Sequence, residues 1–173
     1  MLSRLGLDYE IVAADVDETV EGSPEECVKT LARRKAAAGA ENVSGGWVLA
    51  ADTLVFLDDK ALGKPADAED AKRMLRELSG KTHTVLTGMC LKNAGTGEEI
   101  VRCDGAKITF DEMTEEEIEN YVLSGEPLDK AGAYGIQGLG GAYIAGIDGD
   151  YYATVGLSIC GLRKALKQIE NMK

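Results

Sequence analysis

Polar residues that cap apolar, helically spaced stretches predict four helices along the chain. Ser23–Glu26 forms a capping box with proline at the first helical position, which predicts a helix over residues 24–38. Asp67 precedes a second stretch whose apolar residues recur every three to four positions. Thr114–Glu117 is another capping box and opens a third helix. The apolar spacing over residues 162–172 predicts the last one.

Runs rich in β-branched and apolar residues lie between these helices and predict strands. The predicted strands are Tyr9–Ala13, Trp47–Leu57, Thr82–Leu91, Ile100–Phe110 and Ala142–Ile147. Residues 93–97 are typical of a hairpin loop between two of them. Strands that alternate with helices, together with one hairpin, predict an α/β fold with a mixed β-sheet flanked by helices. Because no linker is visible, we expect a single domain over residues 1–173.

Composition then narrows the classes of function. A formal net charge of -11 argues against a nucleic-acid or anionic-membrane surface, because both need clustered lysine and arginine. There is no bilayer-spanning apolar run and no signal-peptide pattern after Met1–Arg4, so we expect a cytoplasmic protein. The four cysteines are scattered, which predicts reduced thiols rather than a zinc site or disulfides. A phosphate-bearing ligand remains compatible with this charge, because nearby lysines and a divalent cation dominate once distant charges are screened.

Two charged residues lie in predicted apolar elements, and one acidic segment follows a predicted strand. Asp52 interrupts the apolar strand Trp47–Leu57, so it is either a cap for a neighbouring helix or a carboxylate acting as general base or metal ligand. Lys35 falls on or beside the apolar stripe of the first helix, and its ammonium group either extends to solvent or meets an anion. Asp17–Thr19 follows the first predicted strand, and its carboxylates are either solvated or hold Mg²⁺.

Two glycine-containing segments and one histidine complete the candidates. Lys64 lies in Leu62–Pro65, which is either an ordinary turn or a close backbone approach to a ligand. Residues 126–138 combine charged, glycine and amide residues without periodicity; the alternative is an ordinary glycine loop, but the length favours function. His83 is the only histidine in the sequence, and we expect it to pack or hydrogen-bond rather than to catalyse.

Several of these segments occur together in a characteristic order and spacing. They are Asp17–Glu18, Leu31–Ala36, Ala51–Thr53, Gly63–Pro65, Leu78–Gly80 with His83, Thr87–Gly88 and Gly125–Gly138. In this combination the chain resembles the Maf family of nucleotide pyrophosphatases from about Leu5 to Leu166. The form of Gly135–Gly138 resembles the dTTP/UTP branch rather than the 7-methyl-GTP branch. The resemblance implies a Maf and inosine-triphosphate-pyrophosphatase-like α/β fold, with two lobes around a cleft.

The resemblance also implies a reaction and the residues that carry it. The reaction is hydrolysis of dTTP, UTP or modified pyrimidine nucleotides to the monophosphate and pyrophosphate, by metal-assisted attack of water on the α-phosphate. Asp52 is implied as the proton acceptor for that water, and Glu18 as a metal-associated carboxylate. Glu18 and Asp52 would together hold Mg²⁺ or Mn²⁺. Lys35 and Lys64 are implied as catalytic phosphate contacts.

Three further positions are implied as substrate contacts. Lys130 matches a phosphate-binding position, while Thr53 and Gln137 match positions associated with substrate selection. A glutamine amide suits recognition of a base, because it offers both a donor and an acceptor. The resemblance also implies a homodimer that binds a nucleoside triphosphate as its substrate. The net charge already leads us to expect no nucleic acid and no membrane as partners.

One departure from the family motivates an alternative hypothesis. Family members carry a strand and a Ser-x-Ser-Pro-Arg-Arg loop before the segment that Met1–Gly6 resembles, so we expect this chain to lack a phosphate-binding arginine pair. The alternative is therefore a catalytically weakened Maf-like protein that binds nucleotide and is linked to cell division. The inosine-triphosphate pyrophosphatase class shares the reaction but not the loop Asp129–Gly132, and it ranks last.

Overall fold

The computed structural model describes residues 1–58 and 60–171. Its strands are β1 (Trp47–Leu57), β2 (Lys60–Leu62), β3 (Thr82–Asn93), β4 (Glu99–Phe110) and β5 (Ile144–Gly149). Its α-helices are α1 (Pro24–Glu41), α2 (Ala68–Leu78), α3 (Glu115–Leu123), α4 (Tyr151–Thr154) and α5 (Ile159–Asn171). Short 3₁₀ helices cover Leu2–Leu5, Glu126–Asp129, Ala131–Ala133 and Leu139–Tyr143.

Among the described residues, the strands form a five-stranded sheet in the order β2-β1-β3-β4-β5. β2 pairs antiparallel with β1, where Val55 lies opposite Leu62, and β5 pairs antiparallel with β4. β3 and β4 are joined by the predicted hairpin loop, in which the Asn93 backbone N–H donates to the Glu98 carbonyl at 2.9 Å. Strands and helices in this arrangement confirm the predicted α/β class, with a sheet that is not purely parallel.

The chain divides into two structural units. The first unit comprises Met1–Asp52, Thr87–Asp104 and Gly156–Lys173, and the second comprises Thr53–Leu86 and Gly105–Val155. β1, β3 and β4 each contribute residues to both units. A single domain over the whole chain stays a prediction.

In the first unit, helix α5 packs its apolar face on the strands. Leu162 is almost fully buried in a cluster with Met89 of β3 and Ile100 of β4. The small residues Ala32 and Ala36 of α1 form a second cluster in the same unit. Burial of one large aliphatic side chain stabilises a fold by roughly 1.5–3 kcal/mol, so these contacts fix α1 and α5 on the sheet.

In the second unit, α2 and α3 share one apolar core with the strands. Leu75 of α2, Ile118 of α3 and Ile108 of β4 are almost fully buried within it. Phe110 and Tyr134 meet edge to face, with ring centroids 4.8 Å apart. Such aromatic pairs add about 0.5–1.5 kcal/mol beyond the area that they bury.

Three predicted helices are confirmed at their N-termini. α1, α2 and α3 begin directly after Ser23, Asp67 and Thr114, as the capping residues predict. The last predicted helix is present as α5; of its predicted span, position 172 lies outside the described residues. None of the described helices combines the length and apolar composition needed to cross a membrane.

Two strand predictions need correction. Tyr9–Ala13 is not a strand: over the described positions 7–21 the chain forms neither helix nor strand, and Ile11 is 89% exposed. An apolar run becomes a strand only where a sheet edge and a buried face receive it. The strand predicted at Ala142–Ile147 instead covers Ile144–Gly149, because the 3₁₀ helix Leu139–Tyr143 occupies the residues before it.

Candidate active site

The capping box at the start of α1 sets the position of Lys35. The Ser23 backbone N–H donates to the Glu26 carboxylate at 3.0 Å, which satisfies one donor at the helix start. Buried apolar residues of the same helix, including Val28 and Leu31, then hold one face against the unit's core. The helical period leaves Lys35 at the border of this face, where its side chain is 24% exposed.

The ammonium group of Lys35 bridges two carboxylates of the first unit. Lys35 Nζ lies 2.7 Å from Glu18 Oε1 and donates a hydrogen bond to Asp52 Oδ1. Asp52 is only 10% exposed on β1, whereas the Glu18 side chain is 66% exposed. The structure thus brings together three of the residues predicted for catalysis, Lys35, Asp52 and Glu18. Lys35 meets anions rather than extending freely into solvent.

The charge of Lys35 is stabilised in this cluster. Burial lowers the pKa of Lys35, but the hydrogen bonds to Asp52 and Glu18 outweigh burial and raise the pKa above its ordinary value. Lys35 therefore stays cationic at neutral pH. A cation in this position favours the ionised form of the carboxylates beside it, which is the form that can accept a proton or bind a metal ion.

Arg34, the residue before Lys35, holds the loop that carries Glu18. Its Nη1 donates to the backbone carbonyl of Asp17 at 2.8 Å and to that of Thr19 at 2.7 Å. The Asp17 carboxylate accepts the Thr19 backbone N–H at 2.8 Å, which closes a local turn. The carbonyl groups on both sides of Glu18 are thus bound by one guanidinium group. Sequence reasoning missed this role, since a surface arginine carries no periodic signal.

The second unit contains a cavity of about 220 Å³ that includes three predicted substrate contacts. Thr53 of β1, Lys64 and Lys130 line it together with apolar and aromatic side chains. The loops that carry the two lysines are tied together, because the Gly132 backbone N–H donates to the Gly63 carbonyl at 3.0 Å. The Lys130 ammonium group donates to the neighbouring Asp129 carboxylate. Two cationic side chains at one cavity suit an anionic ligand.

A further cavity of about 260 Å³ in the same unit includes Gln137. Lys130, Tyr134 and Ile136 line both cavities, so the two share a wall. Gln137 is exposed within the segment between Gly135 and Gly138. An exposed amide beside a lysine and apolar walls is the kind of group that orients a polar ring in a ligand site.

His83 has a structural contact rather than a place in either cavity. Its Nε2 lies 2.7 Å from the Tyr134 hydroxyl, and both rings pack within 5.4 Å of each other. Burial lowers the pKa of His83 to about 4, so the imidazole is neutral at physiological pH. His83 thereby supports Tyr134, one wall of the two cavities, in agreement with the packing or hydrogen-bonding role expected from the sequence.

The candidate metal ligands Glu18 and Asp52 form a pair of carboxylates. Within residues 1–58 and 60–171, no group of three or more His, Cys, Asp or Glu side chains is arranged to hold a metal ion. Glu18 and Asp52 nevertheless present two oxygens to the same cation, Lys35. Mg²⁺ is commonly held by one or two carboxylates, with water and substrate phosphates as the other ligands.

The fold and these groups define a class of protein. A carboxylate pair bridged by a lysine, and a cavity lined by two lysines, are features of an enzyme acting on a phosphorylated small molecule. Comparison with known families makes the assignment specific. The family described as Maf-like protein matches residues 1–169, and the chain belongs to this family. The resemblance inferred from the sequence motifs is confirmed.

Curated relatives are similar over nearly the whole chain. A Bacillus cereus protein (strain G9842) named dTTP/UTP pyrophosphatase is 46% identical over 172 residues, which cover 98% of this chain and 89% of the relative. A Bacillus anthracis protein of the same name is 46% identical over 170 residues, covering 97% of this chain and 88% of the relative. The chain is thus similar to nucleotide pyrophosphatases along most of its length.

Proposed function

We propose that the protein hydrolyses nucleoside triphosphates, preferring dTTP and UTP, to the monophosphate and pyrophosphate. The observation that carries the proposal is the contact of the Lys35 ammonium group with the carboxylates of Asp52 and Glu18. A mostly buried carboxylate on a strand, held by a lysine, is suited to accept a proton from water. The names of the relatives support the choice of nucleotide.

In the proposed reaction Asp52 acts as general base. A water oxygen forms a bond to the α-phosphorus while the bond from this phosphorus to the bridging oxygen breaks, and pyrophosphate leaves with the bonding electron pair. The Asp52 carboxylate takes the proton of the water. Lys35 orients this carboxylate through its hydrogen bond. A positioned base of this kind contributes about 10²- to 10⁴-fold to the rate.

A divalent cation, Mg²⁺ or Mn²⁺, belongs to the proposal, and the donor set fits it. Glu18 and Asp52 would hold the ion beside Lys35, because their carboxylate oxygens contact the same ammonium group and therefore lie close to each other. When bound, such an ion withdraws charge from phosphate oxygens and makes the phosphorus easier to attack. Arg34 keeps the Glu18 loop in place for this contact.

The second unit supplies the groups that we assign to substrate binding. Lys64 and Lys130 would neutralise phosphate charge, while Thr53 and Gln137 would select the base. Cationic groups placed before the reaction begins stabilise charge that develops on the leaving pyrophosphate.

Pyrophosphate release tests the proposal directly. We expect the purified protein to release pyrophosphate from UTP and dTTP faster than from CTP and GTP in the presence of Mg²⁺, and Asp52→Asn to lose about 10²- to 10⁴-fold in kcat. Asp148→Asn, at an exposed carboxylate of β5, is the matched control and should retain activity. Calorimetric binding of UTP without pyrophosphate release would instead favour the catalytically weakened binding protein.

Assembly and location complete the proposal. We propose a homodimer in the cytoplasm, following the family resemblance. Light scattering coupled to size-exclusion chromatography measures the mass of the particle, and cell fractionation measures its location. A particle with the mass of one 173-residue chain across a range of protein concentrations would remove the homodimer from the proposal.

A further inference from the structure

The glycine-rich segment Gly135–Gly140, which carries Gln137, is held by a carboxylate from outside the segment. Glu126 Oε2 accepts the Leu139 backbone N–H at 2.9 Å, and Glu126 Oε1 accepts the Gly140 backbone N–H at 3.1 Å. Both donors lie on the C-terminal side of Gln137. Hydrogen bonds from backbone N–H groups to an ionised carboxylate are shorter and stronger than neutral ones, so Glu126 fixes this end of the segment.

The other end of the segment is held by Tyr121 of α3. The Tyr121 hydroxyl accepts the Gly135 backbone N–H at 3.0 Å and donates to Glu126 Oε1 at 2.7 Å. Tyr121 is almost fully buried, and its ring is anchored in the core of the second unit. Burial, followed by the hydrogen bond to Glu126, raises the pKa of Tyr121, so the phenol keeps the proton that it donates. One connected network therefore bonds the backbone on both sides of Gln137.

Close packing shows that the segment is fitted to these two side chains. A Cβ atom at Gly138 would lie 2.1 Å from Glu126 Oε2, and one at Gly140 would lie 2.3 Å from the Tyr121 hydroxyl oxygen. Only glycine lets the backbone approach the carboxylate and the phenol this closely. The glycines beside Gln137 thus allow the backbone to pack directly against Glu126 and Tyr121.

We propose that Glu126 and Tyr121 are positioning residues that set base selectivity by fixing the backbone on both sides of Gln137. This inference rests on the proposed function, because it concerns how the nucleotide is selected. The 260 Å³ cavity supports it, since Glu126, Gly135, Gln137 and Gly138 all line that cavity. Glu126 acts through the backbone, so its loss changes the placement of the Gln137 amide rather than the chemical step.

Two variants with a matched control test the proposal. Glu126→Gln keeps the shape but turns an amide NH₂ group toward backbone donors, and Tyr121→Phe removes the hydroxyl while keeping the ring. We expect each to raise KM for UTP on the order of 10-fold and to reduce the preference for UTP over CTP similarly, with kcat changed much less. Glu119→Gln, at an exposed carboxylate of α3, should leave both values unchanged.

Hydrogen exchange provides a readout that does not depend on turnover. In Glu126→Gln the amides of Leu139 and Gly140 should exchange at least about 10-fold faster, while sheet amides keep their protection. If loop exchange rises but the UTP/CTP ratio stays at the wild-type value, the network is merely structural and the proposal is wrong. Unchanged exchange in both variants also overturns it.

The failure of the proposed function has a different signature. In that case the wild-type protein itself releases no pyrophosphate from any nucleoside triphosphate. The UTP/CTP ratio is then measured as a ratio of dissociation constants by calorimetry. Wild-type preference for UTP that is lost in Glu126→Gln and in Tyr121→Phe supports the positioning role, whereas equal binding of UTP and CTP by the wild type overturns it.

Discussion

Removing the ammonium group of Lys35 probes the charge balance of the candidate active site. Lys35→Met keeps an unbranched side chain of similar length but removes the ammonium group that contacts Asp52, whose side chain is 10% exposed. Exposed ion pairs contribute roughly 0–1 kcal/mol, while breaking a buried pair costs about 3–5 kcal/mol. Asp52 is close to the buried limit and Glu18 is largely exposed, so we expect the free energy of unfolding to fall by about 2 kcal/mol.

A second substitution isolates the cause of this loss. Asp52→Asn removes the carboxylate that needs compensation, so the double variant Lys35→Met/Asp52→Asn should be more stable than Lys35→Met alone. Lys29→Met is the matched control, because Lys29 lies on the same helix and pairs with Glu25 one turn earlier at a more exposed position. Its effect should stay near 0.5 kcal/mol, as is usual for helical pairs at this spacing.

Urea unfolding followed by circular dichroism measures these differences. For a chain of this size, about 2 kcal/mol corresponds to a fall in Tm of roughly 4–8 °C, which thermal scans detect easily. The reasoning is refuted if Lys35→Met is as stable as the wild type, or if the effects of Lys35→Met and Asp52→Asn simply add. Either result would mean that Asp52 does not depend on the Lys35 charge.

Three further predictions concern selectivity, the Glu18 loop and acid stability. Gln137→Ala should reduce the preference for UTP and dTTP over CTP and GTP by about 1–3 kcal/mol in kcat/KM, because a polar edge of the base loses its partner; an unchanged ranking would remove Gln137 from base selection. Arg34→Gln should weaken activation by Mg²⁺ about 10-fold with little change in Tm, because Glu18 loses its support; a metal titration of pyrophosphate release measures this, and unaltered activation would contradict it. Burial raises the pKa of Glu126, but the hydrogen bonds that its carboxylate accepts outweigh burial and lower the pKa below its ordinary value. The stabilisation from the ionised carboxylate is therefore present above the ordinary pKa of glutamate and is lost as the pH falls toward the lowered value. Glu126→Gln should therefore show a shallower loss of stability than the wild type between about pH 5 and pH 3 in urea unfolding, and parallel curves would disprove this.

The sequence alone determined the elements whose signals are local. Capping residues such as Ser23 and Thr114 predicted where helices begin, because a cap is formed by side chains within four residues of each other. β-branched runs predicted β1 with its observed bounds, and the hairpin loop after Asn93 was predicted from turn residues. Motif order also led to the family, which the comparison with known proteins confirmed.

Local signals were wrong or absent at two places, where the tertiary structure decided the outcome. The run Tyr9–Ala13 has strand composition, yet it forms no strand because Ile11 finds no face to bury. β2 is a short strand of three residues, and it exists because it pairs with the end of β1. Pairing of this kind is decided by the neighbour rather than by the residues of the segment itself.

For the candidate site, the sequence predicted residue types and only the tertiary structure decided their contacts. Asp52 and Lys35 were each ambiguous in isolation, since a strand carboxylate can cap a helix and a helical lysine can extend to solvent. Folding brings them together across 17 positions of the chain, and the cost of burying an unpaired charge makes that contact decisive. The hydrogen bond between Tyr121 and Glu126 had no signal in the sequence. The two residues lie in a helix and in the loop that follows it, and they bind the same backbone only because the glycine-rich segment packs against both.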